Sequence, residues 1–140
     1  MFVARMNLRA ASLGLSGSRF DNPWGHDAPG HHATARDLLR LTRAALAIPE
    51  FRRTVALDRA RITTRGGRIL DLRTNNVLLG RFPGASGVKS GYTPGAGRCV
   101  VALAQRGGTE VLLVLLDSAD RWWTAAALLE AAFDEARERG

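Results

Sequence analysis

Lys89 is the only lysine in a chain of 140 residues that uses arginine nineteen times. Arginine stays protonated in proteins, whereas a lysine ammonium is compact and can be tuned or deprotonated. A lone lysine among so many arginines therefore marks a position where arginine would not serve. It lies in the densest chemical signal of the chain, Gly87-Val-Lys-Ser-Gly-Tyr-Thr-Pro-Gly-Ala-Gly97. On a strand bounded by glycines, Lys89 can stand at a cleft wall. Gly91 leaves room there for a ligand backbone, and the Ser90 hydroxyl can bond a carboxylate or carbonyl. The plainer alternative at this point is a hairpin carrying one exposed lysine.

Other constellations carry less. His26, His31 and His32, with Asp27 and Asp37, form no closed ligand set at their spacing, so no metal is expected. No cofactor motif is present either. Cys99 sits in an apolar run and reads as an inert core thiol, and a single cysteine excludes an internal disulfide. The net charge of +7 is spread from Arg5 to Arg139 with no block and no aromatic interleaving, so nucleic acid is not an expected partner. No apolar run reaches membrane-spanning length. The first residues, MFVARMNLRAAS, place Arg5 and Arg9 inside their apolar stretch, unlike a signal peptide.

The elements that must hold these residues follow from periodicity. Phe2, Val3, Met6, Ala10 and Leu13 mark one helix face, and Gly14 is its stop. Residues 15–30 form a long irregular connection. Thr34-Ala-Arg-Asp37 resembles a capping box with Asp in place of Glu, and Leu38, Leu41, Ala45 and Leu46 give the helix its stripe. Pro49 ends it and opens a short helix to Val55. Residues 59–64 and 68–72 flank Gly66-Gly67 as a hairpin. Residues 73–86 are read as loop. Strands are expected at 88–93, 99–105 and 110–116, and a helix over 121–137 with Trp122, Ala125, Ala126, Leu129 and Phe133 inward. Helices, then antiparallel strands, then a covering helix make an α+β fold. Three strands under one helix leave an unpaired edge and a poorly covered face, as in the later part of something larger.

The strand around Lys89 resembles the Lys-Thr/Ser-Gly strand of the penicillin-binding serine hydrolases. Its surroundings resemble the low-molecular-mass D-alanyl-D-alanine carboxypeptidases: Phe2-Val-Ala-Arg-Met-Asn7, Phe20-Asp-Asn-Pro-Trp-Gly-His-Asp27, Gly30-His-His-Ala-Thr-Ala-Arg-Asp37, Arg73-Thr-Asn-Asn-Val-Leu-Leu79 and Gly87-Val-Lys-Ser-Gly-Tyr-Thr-Pro94, in that order. The resemblance implies a partial β-lactamase/transpeptidase-like fold, with residues 1–140 the C-terminal part of its catalytic domain. It implies an acyl-enzyme hydrolase that removes the terminal D-Ala of peptidoglycan stem peptides, is inhibited by β-lactam antibiotics, and works in the periplasm or on the outer face of the cell membrane. Lys89 would be catalytic, supplying positive charge beside the nucleophilic serine. Ser90 and Gly91 would line the peptide, Tyr92 would give an oxyanion-hole N–H, and Arg121 would hold the substrate carboxylate. A solvated arginine at a helix start is the alternative for Arg121.

The family's two serine motifs are not here. Two residues after Ser12, Ser16, Ser18, Ser86, Ser90 and Ser118 stand Gly14, Ser18, Phe20, Val88, Tyr92 and Asp120, so Ser-x-Asn does not occur. Ser86-Gly-Val-Lys89 fits Ser-x-x-Lys formally, but its lysine belongs to the active-site strand, and Gly87 with Val88 disfavours the helix that motif needs. The expectation is a chain without its own nucleophile, and the alternative function is an inactive peptide- or partner-binding fragment.

Overall fold

A computed structural model describes residues 1–139. Helix α1 (Phe2–Ser12) has no side-chain cap at its start. Its end is closed by Leu15 N–H donating to the Ala10 carbonyl at 3.0 Å, with Gly14 at φ +71°. Ala10 and Leu15 are buried there, but Phe2, expected on the inner face, is exposed. It lies in the helix's first turn, beyond the reach of the contacts that fix Ala10.

The connection over 15–34 is built by side chains bonding backbone. Asn7 of α1 accepts from Phe20 N–H at 2.9 Å and donates to the Phe20 carbonyl at 2.6 Å. Helix α2 (Ala35–Leu46) starts where expected, with Thr34 Oγ1 accepting from Asp37 N–H at 3.1 Å. The second half of the expected capping box is absent. The buried Asp37 carboxylate instead accepts from Gly17 N–H and Ser18 Oγ, both at 2.8 Å, and so ties the connection to the helix. Aspartate is one methylene shorter than the glutamate of a standard box, and two donors from the connection lie within its reach. Helix α3 (Pro49–Val55) begins with Pro49, whose missing N–H costs nothing in a first turn.

Strands β1 (Arg59–Thr63) and β2 (Ile69–Arg73) form a separate two-stranded antiparallel sheet. The main sheet has three antiparallel strands in the order β3 (Ala85–Thr93), β4 (Gly97–Arg106), β5 (Thr109–Leu115). β3 begins three residues earlier than the sequence suggests, with Ala85 paired to Ala104 across an irregularity at Gly87. Helix α4 (Arg121–Arg139) covers one face. Val100, Ala102 and Ala104 of β4 meet Ala125, Leu129 and Phe133 of α4 and Leu78 in the core. The two alanines on the strand let the helix approach closely, and Trp122 and Ala126 pack at the margin as expected. Side chains alternate along a strand, so Cys99, Val101 and Leu103 face the other way. That second face meets α3 beside β3 and α2 beside β5, and a cleft opens between them. The expected unpaired edge is present, since among the described residues β3 has no second partner strand, while α2 and α3 cover part of the second face.

Candidate active site

Cross-strand partners share a face of the sheet, and Lys89 pairs with Val101 and Gly91 with Cys99. Lys89 and Gly91 therefore lie on the face away from α4, along a cleft of about 890 Å³. Lys89, Ser90, Gly91 and Tyr92 all line it. A Cβ placed on Gly91 would meet no atom within 4 Å. The glycine is therefore not required by the chain's own packing, and the space above it is free for something else. Lys89 is exposed, and its Nζ donates to the Ser90 carbonyl. No hydroxyl of the chain is bonded to it among the described residues.

Arg121 does not line the cleft. It reaches β3 from the first turn of α4, where Nη1 donates to the Gly91 carbonyl at 2.9 Å. The guanidinium lies 4.8 Å from the centre of the Trp122 ring, and its Nε is buried without an acceptor. Arg121 is half-buried and bonded to the strand that carries Lys89, rather than extended into solvent.

Three features of the cleft escape the sequence reading. Cys99, expected in the core, is half-buried and lines the cleft. Its Sγ lies 3.3 Å from the Ala96 carbonyl. The hairpin register decides this, since the turn at Pro94-Gly95-Ala96 sets Cys99 opposite Gly91. Trp24, in the irregular connection, stands exposed at the cleft wall. Its position depends on Asp27, which accepts from Thr93 Oγ1 at 2.5 Å and from Gly95 N–H at 3.0 Å. These bonds latch residues 22–30 onto the β3–β4 turn. The Thr93 hydroxyl first and the Gly95 N–H second hold the Asp27 carboxyl below its ordinary pKa. Asn22 Oδ1 braces the same segment by accepting from Gly25 and His26 N–H groups at 2.7 and 3.1 Å. Asp37 and Asp27 are thus occupied with loop contacts. His31 Nδ1 accepts from Asp21 N–H at 3.1 Å, and His32 Nδ1 lies 2.9 Å from the Gly30 carbonyl. No three metal-ligating side chains converge among the described residues.

An edge strand carrying lysine, serine and glycine along a cleft, with helices before the sheet and one helix behind it, is the arrangement of the serine acyl-transfer enzymes that recognise penicillin. The sequence profile described as D-alanyl-D-alanine carboxypeptidase, peptidase family S11, matches residues 1–120, and the chain belongs to that family. The chain is 36% identical over 134 residues to the D-alanyl-D-alanine carboxypeptidase DacB2 of Mycobacterium tuberculosis, covering 91% of this chain and 46% of that protein. It is 34% identical over 122 residues to the D-alanyl-D-alanine carboxypeptidase of Streptomyces sp. strain K15, covering 84% and 42%. Among solved structures, the S216A mutant of the Streptomyces K15 DD-transpeptidase superposes with a TM-score of 0.89 at 31% identity, over 95% of this chain and 54% of that one. Penicillin-binding protein D2 of Listeria monocytogenes, in its cefotaxime-bound form, gives 0.81 at 32% identity, over 94% and 55%. The α+β fold is that of these structures. The chain spans less than half the length of these two curated relatives.

Proposed function

We propose that this chain forms the peptide-docking side of a serine-type D-Ala-D-Ala carboxypeptidase site, acting on peptidoglycan stem peptides at the outer face of the cell membrane. The observation that carries the reading is the free edge of β3, with Lys89 and Ser90 on the cleft and open space over Gly91. A peptide in extended form adds to such an edge by backbone hydrogen bonds. Ser90 Oγ takes its terminal carboxylate, and Arg121, outside the cleft lining but bonded to the Gly91 carbonyl of the same strand, offers its spare Nη donors to that group once the peptide lies along β3. The Tyr92 N–H stands as an oxyanion donor for the carbonyl under attack. The Lys89 ammonium supplies positive charge where the attacking hydroxyl loses its proton and the oxyanion develops. In this reading the nucleophilic hydroxyl is not one of this chain's own: Ser-x-Asn does not occur in it, and among the described residues Lys89 bonds the Ser90 carbonyl and no hydroxyl. β-Lactams, which mimic the acyl donor, are the expected inhibitors of the assembled site.

The test is a titration of the isotopically labelled chain with an N-acetylated stem peptide ending in D-Ala-D-Ala, and with its L-Ala-L-Ala counterpart. Amide shifts are expected at residues 89–93 and 121 with the D,D peptide alone. Equal shifts with both peptides, or shifts elsewhere, would refute the docking. A fluorescent penicillin is expected to leave no covalent label on the chain by itself.

A further inference from the structure

The β1–β2 hairpin is not absorbed by this function, and its chemistry is unusual. Each strand finds its main partner in the other rather than in the body of the protein. A two-stranded ribbon standing by itself is marginal in water. Its exposed apolar side chains are nonetheless large: Ile62 is 45% exposed and Leu72 48%, with Ile69 at 61% on the opposite face. The register pairs Ala60 with Leu72 and Ile62 with Leu70, so these four residues make one apolar face.

The charges are equally unsupported. Residues 57–74 hold five arginines against two aspartates. Asp71 is used by Arg61, at 2.6 and 3.1 Å. Arg59 has only Asp58, 3.8 Å away, and no carboxylate lies within 4 Å of Arg65, Arg68 or Arg73 among the described residues. The register also sets Arg59 directly opposite Arg73. Like charges facing each other across a ladder destabilise it, and among the described residues the one carboxylate near this pair is Asp58, 3.8 Å from Arg59.

We propose that this hairpin docks the protein on an anionic lipid bilayer surface. Ile62 and Leu72, the exposed members of the apolar face, enter the boundary between headgroups and acyl chains. Arg65 and Arg68 at the turn meet lipid phosphates, and the long stems of Arg59 and Arg73 reach them around the ribbon edges. Charge selects this partner over a second copy of the chain, whose own hairpin carries the same excess of arginine. The exposed Ile62 and Leu72 select a bilayer over a soluble polyanion, which would need the arginines alone. The inference is independent of the reading of the cleft.

The experiment is co-sedimentation of the chain with vesicles of equal parts phosphatidylglycerol and phosphatidylcholine, and with phosphatidylcholine alone. Binding is expected only to the anionic vesicles, falling as salt is raised. Each arginine near the surface is worth about fivefold in partition, so Arg68→Gln should lose about that much. Arg73→Glu, which swings two charges, should lose roughly 25-fold. That variant also replaces the Arg59–Arg73 repulsion with an attractive pair. Its hairpin amides should therefore exchange more slowly than in the wild type, which separates lost binding from lost structure. Ile62→Ser should weaken binding as well. Equal binding to both vesicles, no binding to either, or unchanged binding by Arg73→Glu would overturn the proposal. So would loss confined to the arginine variants with Ile62→Ser unaffected, the result a polyanion site would give.

Discussion

Gly91→Ala separates the stability of this fold from its proposed use. The φ of Gly91 lies outside the positive range, and the added methyl would have no neighbour within 4 Å. The folded chain therefore accommodates alanine without strain. The unfolded chain loses freedom, which favours the folded state by about 0.4–1 kcal/mol. For a chain of this size that raises the melting temperature by roughly 1–4 °C. The same methyl projects into the space where a peptide backbone must approach β3. Displacing that backbone by about an ångström costs on the order of 100-fold in productive engagement. Gly97→Ala is the contrasting control, since its Cβ would overlap the Asp117 carboxylate at a φ of +67°. Thermal unfolding followed by circular dichroism, with the D,D-peptide titration on the same samples, reads both effects. A Gly91→Ala chain that melts lower would refute the open space above the strand. One that binds the peptide like the wild type would refute the docking of substrate against Gly91.

Joined to a nucleophile-bearing segment of the family, Lys89→Arg should lose on the order of 100-fold in acylation by penicillin, because a guanidinium is too bulky for a site built around a compact ammonium. Near-wild-type labelling of that variant on a gel would make the lone lysine an accident of composition. The Asp27 latch contributes fully above the ordinary aspartate pKa of 3.8 and is lost as the pH falls through its lower folded value. A titration of the Gly95 amide shift should show a midpoint below 3.8, and Asp27→Asn should abolish it. Leu129 is fully buried between α4 and β4. Leu129→Ala should cost about 3 kcal/mol in chemical denaturation, and a loss under 1 kcal/mol would mean that the helix is not seated as described.

The sequence by itself determined the order of elements and most of the proposed site. Apolar spacing places α2 and α4, Thr34 fixes the start of α2, Pro49 starts α3, and Gly66-Gly67 turns the first hairpin. These signals are local, so they act before any tertiary contact exists. Lys89, Ser90, Gly91 and Tyr92 are contiguous, and one strand suffices to bring them to one cleft. Tertiary structure decided the rest. Arg121 meets Gly91 only because α4 packs back across the sheet, thirty residues along the chain. Asp27 finds Thr93 and Gly95 across sixty-six and sixty-eight residues, and no spacing rule encodes that latch. Cys99 moved from expected core to cleft because an apolar run in a strand has two faces, and only pairing register says which is covered. Asp37 left its capping box for the same kind of reason. A short carboxylate bonds the donors that the folded chain brings nearest, and those belong to Gly17 and Ser18, far from it in sequence.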